Sequence, residues 1–418
     1  MHVVIVDGDV SYPPSSGKRL RTLHLMLRLA ERHRIAYIAR AHNGAGEIHQ
    51  AAAFLRDHGI EPILLDDPLP HKNGLGFYAR LAGNLLSPLP YSAASHRSRR
   101  MRDALQRYAA EHAVDLWQFE WTPYVGTLGA NRETRRLLIA HNVDSLIWQR
   151  YHKNERHILK RFYIHKQWRK FERFERRVFA EVDHIVAVSS EDANLLRRQF
   201  AVENLDVIEN GVDTAYFENV RGGGKAGVIL FLGSLDWRPN LDAVRLLLDD
   251  IFPVVRQAEP AARLCLVGRN PPDWLLQRVA QAPNVDLHSN VPDVRPYLAE
   301  SGVMAVPLRI GGGSRLKILE ALACRLPVVS TRIGAEGLNL QPDRDLIVVE
   351  RVEDMAAALI ESIRSPERVR RMADQARELV RENYDWAILA AKLERVWERC
   401  VHSEKRKRRE GEACVSSN

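Results

Sequence analysis

Cysteine is scarce: the 418 residues hold four, at Cys265, Cys324, Cys400 and Cys414. Their scatter gives neither metal-ligand spacing nor the density of a disulfide framework. No run approaches the ~18 or more consecutive apolar residues of a bilayer-spanning helix. The opening "HVVIVDGD" carries Asp7 within its apolar run and soon meets Pro13 and Pro14. It therefore reads as a buried strand, not as a secretion signal. No G-x-G-x-x-G follows this first strand, which disfavours a dinucleotide-dependent dehydrogenase. The "SSGKR" at Ser15–Arg19 lacks the earlier glycine and the following Ser/Thr of a triphosphate-binding loop. Acidic residues are in deficit, 53 against 61 Lys and Arg, for a net charge of +8. That balance favours anionic partners: phosphorylated ligands, nucleic acid or an acidic membrane face. The expectation is a soluble, cytosolic chain.

The length suits two α/β domains of roughly 200 residues better than one. Short β-rich runs alternate with helical stretches: "HVVIV", then "GKRLRTLHLMLRLAERH" with leucines at helical spacing, then "IAYIA", a helix near 50–58, and "EPILL". A helix over 97–112 follows, then "VDLWQFE", "RLLIAHN" and "DHIVAVS". This is the βαβ alternation of a parallel sheet covered on both faces. It pauses at the Gly-rich "ENVRGGGKAG", Glu218 to Gly227, and restarts with "VILFLG", a helix over 240–258, "ARLCLVG", "NVDLHS", "GVMAVP", "PVVST" and "DLIVV". The expected plan is a first domain over 1–219, a linker over 220–227 and a second domain over 228–384. A closing helix over 385–402 is expected to return to the first domain, ahead of a disordered basic tail over 403–418. Ligands of open parallel sheets bind outside the carboxyl ends of the strands. Two such sheets suggest a cleft between them.

The stretch "RIGGGSRLKILEALACRLPVVST" begins at the carboxyl end of the "GVMAVP" strand. Gly311, Gly312 and Gly313 let the backbone approach a ligand, and Ser314 suits an N-cap. The helix N-terminus supplies partial positive charge, and Arg315 and Lys317 supply two full ones. This combination forms an anion site, most simply for a phosphate or diphosphate. Glu320 lies roughly 7–8 Å further along the helix axis, where a carboxylate suits the diol of a ribose. Taken alone, a glycine turn before an amphipathic helix accounts for the same residues.

The surrounding run weighs against that simpler account. "GGGSRLKILEALACRLPVVSTRIGAEGL" resembles the donor-site signature of retaining family-4 glycosyltransferases of the GT-B fold. The resemblance extends through "FLGSLDWRPNLDAV", "LCLVG" and "VPDVRPYLAESGVMAVPL", and in the first domain through "AHNVDS", "VDHIVAVSSEDANLL" and "VIENGVDTAYF". It implies two Rossmann-like domains facing a cleft. The nucleotide-diphosphate sugar would be held by the second domain and a glycan or lipid-linked acceptor by the first. It also implies that no metal or other cofactor is needed. Two family features are absent. Gly312 stands where many members have a first glutamate, and Ser234 and Pro239 stand where many place an arginine and a lysine. Arg238, Arg315 and Lys317, with the glycine N–H groups, are the expected compensation.

On the first-domain side, Gly17 is either a plain helix start or, by the resemblance, a backbone N–H donor to the diphosphate. His141 ends an apolar strand, a position where structural histidines are common. The resemblance makes it the group facing the transferred sugar. Glu120 occupies the corresponding place on the adjacent strand and could orient or deprotonate an acceptor hydroxyl. The basic segment 150–177, interleaved with Tyr, Phe and Trp, has three readings: a solvated helix face, nucleic-acid binding, or attachment to an anionic membrane. No recognised nucleic-acid fold accompanies it, so nucleic acid is not expected as a partner.

The expected function is glycosyl transfer, retaining and of hexosyl type, in surface-polysaccharide or glycolipid synthesis. The expected place is the cytoplasm, with peripheral attachment at the inner face of the membrane. Two alternatives remain: a non-catalytic GT-B subunit that binds nucleotide sugar, and a sugar-nucleotide epimerase. For the epimerase no acid–base carboxylate pair is identifiable.

Overall fold

The structure, a computed structural model, describes residues 1–42, 44–129, 134–310 and 315–415, without the side chains of 154 and 403–415. The chain forms two compact units, Met1–Glu209 with Leu389–Asn418, and Asn210–Ile388.

The first unit is built on seven strands: β1 (His2–Asp7), β2 (Arg34–Ala41), β3 (Ile60–Asp66), β4 (Leu116–Phe119), β5 (Arg136–Ala140), β6 (His184–Ala187) and β7 (Leu205–Val207). They lie in the order β3-β2-β1-β4-β5-β6-β7, every pair parallel. Their near-continuous Val, Ile, Leu and Ala runs are what a sheet buried on both faces requires. β1 has β2 on one side and β4 on the other, so the chain reverses its winding direction there. The carboxyl ends of β1 and β4 are thus the switch point.

The second unit repeats the plan with β8 (Lys225–Leu232), β9 (Arg263–Gly268), β10 (Val285–Ser289), β11 (Ser301–Val306), β12 (Val328–Thr331) and β13 (Ile347–Val349). Their order is β10-β9-β8-β11-β12-β13, again all parallel, with the reversal between β8 and β11. The helical stretch expected over 240–258 is helix Arg238–Leu246, a π turn at Leu247–Ile251 and helix Phe252–Ala258.

The division between units falls at Glu209, ahead of the expected linker at 220–227. The glycine-rich run is part of the second unit's packing. Gly222 N–H donates to the Cys324 carbonyl at 2.6 Å, and the Gly223 and Gly224 N–H groups donate to the Ser301 carbonyl. A Cβ on Gly222 would meet the Leu326 backbone below 3 Å. The glycines serve close approach, not flexibility. Further upstream, the Thr214 N–H and hydroxyl donate to the Asp385 carboxylate, at 3.1 and 2.5 Å.

The closing helix runs Trp386–Val415, beyond the expected end at 402 and through most of the expected disordered tail. Its Lys, Arg and Glu residues are good helix formers, which favours that continuation. From Leu389 onward it belongs to the first unit. Leu393, Val396 and Trp397 are buried, the Trp397 indole N–H donates to Gln118 Oε1 at 2.8 Å, and Glu394 accepts from Arg32 and His33.

Candidate active site

In the second unit, Gly233 directly follows β8 and leaves room for two side chains. A Cβ there would stand 2.8 Å from Asn240 Nδ2 and 2.8 Å from Lys317 Nζ. Lys317, in the first turn of helix Leu316–Ala323, donates to Asn240 Oδ1 at 3.0 Å and lies 4.7 Å from the centroid of the Phe231 ring. The Asn240 amide in turn donates to the Ser234 carbonyl at 2.9 Å. Burial, aided by the nearby Arg315 charge and opposed by Glu320, lowers the Lys317 ammonium to about 7. Glu320, one helical turn on and half-buried, is raised by burial to about 7, with Lys317 opposing. A cation near the carboxyl end of β8 and a carboxylate three residues on in the same helix are both half-buried. The partial loss of charge on Lys317 is what an anion binding beside it would reverse.

The other expected donor residues are placed differently. Arg315 is buried, and its guanidinium donates to the Ile333 carbonyl at 2.7 Å and lies 3.5 Å from Glu336, holding the turn after β12. Arg238 is exposed, at the first position of helix Arg238–Leu246. Gly311, Gly312, Gly313 and Ser314 lie outside the described residues.

In the first unit the structure brings Glu120 and His141 together. His141 Nε2 lies 2.8 Å from Glu120 Oε2, and the same oxygen accepts from Thr22 at 2.8 Å. Oε1 accepts from Gln118 at 2.6 Å. Burial works to raise the Glu120 pKa, but the His141 contact, the Lys18 charge and Gln118 outweigh it and hold the carboxyl at about 2. Burial lowers the His141 pKa despite Glu120. The pair is thus a carboxylate and a neutral imidazole whose Nε2–H donates, leaving Nδ1 as an acceptor. Glu120 is 2% exposed and carries three donors. Of the two roles expected for it, this geometry fits orientation of His141, not proton abstraction from an acceptor.

Gly17 is the first residue of helix Gly17–Ala30, capped by Ser16, whose hydroxyl accepts from the Arg19 N–H at 3.3 Å. Lys18 pairs with Asp7 at the end of β1. Asp7 also accepts from the Tyr37 hydroxyl at 3.1 Å and the Asp9 N–H at 3.1 Å. Burial raises the Asp7 carboxyl, with Lys18 opposing.

Sequence reasoning left several neighbours out. His96 Nδ1 lies 2.6 Å from the Tyr124 hydroxyl and its ring meets Trp121 edge-on at 4.6 Å. Burial, with surrounding positive charge, lowers His96 to about 3. A Cβ on Gly8 would collide with the Tyr124 hydroxyl. The signal in the sequence was the "EWTPY" run directly after β4. The Trp121 indole N–H donates to Asp144 at 2.8 Å, and Glu175 accepts from the Asp144 and Ser145 N–H groups at 2.7 and 3.2 Å.

Residues 17–216 match the family model "Glycosyltransferase Family 4", and residues 226–365 match "Glycosyl transferases group 1". An MMP alpha-(1->4)-mannosyltransferase of Mycolicibacterium hassiacum is 29% identical over 245 residues, 56% of this chain and 59% of the relative. A phosphatidylinositol N-acetylglucosaminyltransferase component from Arabidopsis thaliana is 25% identical over 237 residues, 54% of this chain and 52% of that protein. The chain thus spans little more than half the length of these two curated relatives. Among solved structures, sucrose-phosphate synthase from Thermosynechococcus elongatus superposes with a TM-score of 0.70 at 15% identity, covering 96% of this chain and 100% of that one. Anabaena HepE, solved with UDP and glucose, gives 0.65 at 13% identity, covering 95% and 99%. At such identities the likeness is one of fold, the GT-B fold. With one glycosyltransferase model matched over 17–216 and another over 226–365, the chain belongs to the group 1, family 4 glycosyltransferases.

Proposed function

We propose that this protein transfers a sugar, of hexosyl type, from a nucleotide-diphosphate sugar to an acceptor hydroxyl with retention at the anomeric carbon. The observation that carries the reading is Lys317, half-buried beside Glu320 at the end of β8 and lowered to about 7 by burial. An ammonium held in that state gains most from a diphosphate. In the transition state positive charge grows on the sugar ring and negative charge on the leaving diphosphate. Lys317, Arg238 and the N-terminus of helix Leu316–Ala323 stabilise the second. Glu320 holds the ribose hydroxyls. His141, fixed by Glu120, faces the sugar and acceptor. Arg315 supports the site by pinning the turn after β12, and Gly17 offers its N–H at a helix start.

These cations do the work a divalent ion does elsewhere, so the reaction needs no metal. HepE was solved with UDP and glucose, and relatives are named as a mannosyltransferase and an N-acetylglucosaminyltransferase component. Those names support a nucleotide-sugar donor and a glycan or lipid-linked acceptor. The reaction then belongs to polysaccharide or glycolipid synthesis, at the cytoplasmic face of a membrane to which the protein binds peripherally.

The test is a donor panel. UDP-, GDP-, ADP- and TDP-sugars are scored for thermal stabilisation and slow release of free nucleotide, with and without EDTA, beside Glu320→Ala. Stabilisation by one nucleotide class, indifferent to EDTA and lost in the variant, is expected. Stabilisation without nucleotide release or transfer to any acceptor would identify a binding protein instead.

A further inference from the structure

Among the described residues of the first unit, eight large apolar side chains are exposed, and all eight fall in two short segments, 75–86 and 151–162. In the first segment Leu75 is 90% exposed, Tyr78 66% and Leu86 93%. Helix Gly74–Asn84 carries one charge, Arg80. At 100° per residue, Leu75, Tyr78, Ala79 and Ala82 fall within an arc of about 100°, and all four are exposed. This helix turns an apolar stripe outward, the reverse of what a surface helix in water does. In the second segment Ile158 is 81% exposed, Leu159 74% and Phe162 56%. They also fall within an arc of about 100°, on the first turns of helix Ile158–Ala180. The two helices are tied together at Asn84, whose Oδ1 accepts from Gln167 at 2.9 Å and whose carbonyl accepts from Lys170.

Charge decides what covers them. Residues 71–86 hold two Lys and Arg and no acid; residues 150–170 hold eight, with Glu155 the one acid. A second copy docking by the same face would bring these cations onto one another. A bilayer with anionic headgroups satisfies both features at once: apolar side chains enter the acyl boundary while long basic side chains stay at headgroup level. Charge and apolar surface share one face here, with Lys166 Nζ 5.6 Å from the centroid of the Phe162 ring.

We propose that the first unit docks on an anionic lipid bilayer through the outward apolar stripe of helix Gly74–Asn84 together with the first turns of helix Ile158–Ala180. This deepens the peripheral-membrane part of the reading above and is independent of the transfer chemistry. Both segments insert shallowly, and neither spans. The basic residues supply long-range, salt-sensitive attraction, and the apolar ones supply retention.

Full-length protein is floated with phosphatidylcholine vesicles with and without phosphatidylglycerol, at low and high salt. The expected result is binding to the anionic vesicles alone. It should weaken about tenfold in Leu75→Ser/Leu86→Ser and again in Ile158→Ser/Leu159→Ser, and become insensitive to salt in Lys160→Glu/Arg161→Glu. All these positions are exposed, so unfolding temperatures should match the parent. Thermal stabilisation by UDP-glucose and GDP-mannose, read on the same samples without lipid, reports the donor site separately. Loss of vesicle binding with that stabilisation intact concerns docking alone. The proposal is overturned by no binding to anionic vesicles, by equal binding to neutral ones, or by serine variants that bind like the parent. A concentration-dependent dimer broken by Leu75→Ser/Leu86→Ser would overturn it too, in favour of a self-interface.

Discussion

Lys317 and Glu320 should give donor binding a bell-shaped pH dependence centred near neutrality. Burial places both groups at about 7, the ammonium from above and the carboxyl from below. The signs are opposite in effect. The Lys317 charge is complete well below pH 7 and lost above it, whereas the Glu320 charge is complete above pH 7 and lost below it. At pH 8 about a tenth of Lys317 is charged in the free protein, and at pH 6 about a tenth of Glu320. If the diphosphate needs the ammonium and the ribose needs the carboxylate, affinity falls about tenfold per pH unit on each limb, or ~1.4 kcal/mol. The assay is calorimetric titration with an intact nucleotide sugar, whose diphosphate diester does not titrate near neutrality, from pH 5.5 to 8.5. Repeating it in two buffers of different ionisation enthalpy counts protons. At pH 8 binding should take up close to one proton, and at pH 6 release close to one. Lys317→Arg should flatten the alkaline limb and Glu320→Gln the acid limb. Affinity independent of pH, with no buffer dependence of the enthalpy, would refute the placing of these two groups against the donor.

Other outcomes follow from the same geometry. Gly233→Ala puts a methyl against Lys317 Nζ and Asn240 Nδ2, so it should weaken donor binding several-fold. Combined with Lys317→Ala it should add little further, read by thermal shift with nucleotide. His141→Ala should lower kcat by about 10²-fold with little change in donor KM, and a parent-like kcat would remove His141 from the reaction. Glu120→Gln turns one of two accepting oxygens into a donor facing Thr22 and His141 or Gln118. It should cost ~2–3 kcal/mol of stability, measured by denaturant unfolding, and lower kcat as well. Glu175 is raised by burial to about 8, with Asp144 adding to the rise. The folded state therefore holds its proton from pH 4.5 to 8 while the unfolded chain does not, and stability falls as pH rises through that window. Glu175→Gln should flatten the melting temperature of the first unit across it.

The sequence by itself determined the class of fold. Strand runs buried on both faces, alternating with helical stretches, leave little besides two doubly wound parallel sheets, because period and composition are local properties. It also marked the residues of the proposed site: Glu120, His141, Lys317 and Glu320 lie just after strands or in a helix that follows one, where this architecture collects function. Only tertiary structure decided what those groups do. Glu120 could have been a base, but three donors, Gln118 of β4, His141 directly after β5 and Thr22 of helix Gly17–Ala30, converge on it and make it an anchor for His141. Arg315 and Lys317 are two residues apart and similar in charge, yet one holds the turn after β12 and the other stands at the end of β8, since Arg315 precedes the helix with non-helical backbone and Lys317 lies within it. The glycine run at 222–224 looks like a linker by composition, and only the carbonyls of Ser301 and Cys324 reveal it as packed backbone. The outward stripe on helix Gly74–Asn84 escaped sequence reading for the same reason. An apolar periodicity shows which residues share a face; which way that face turns depends on contacts far away along the chain.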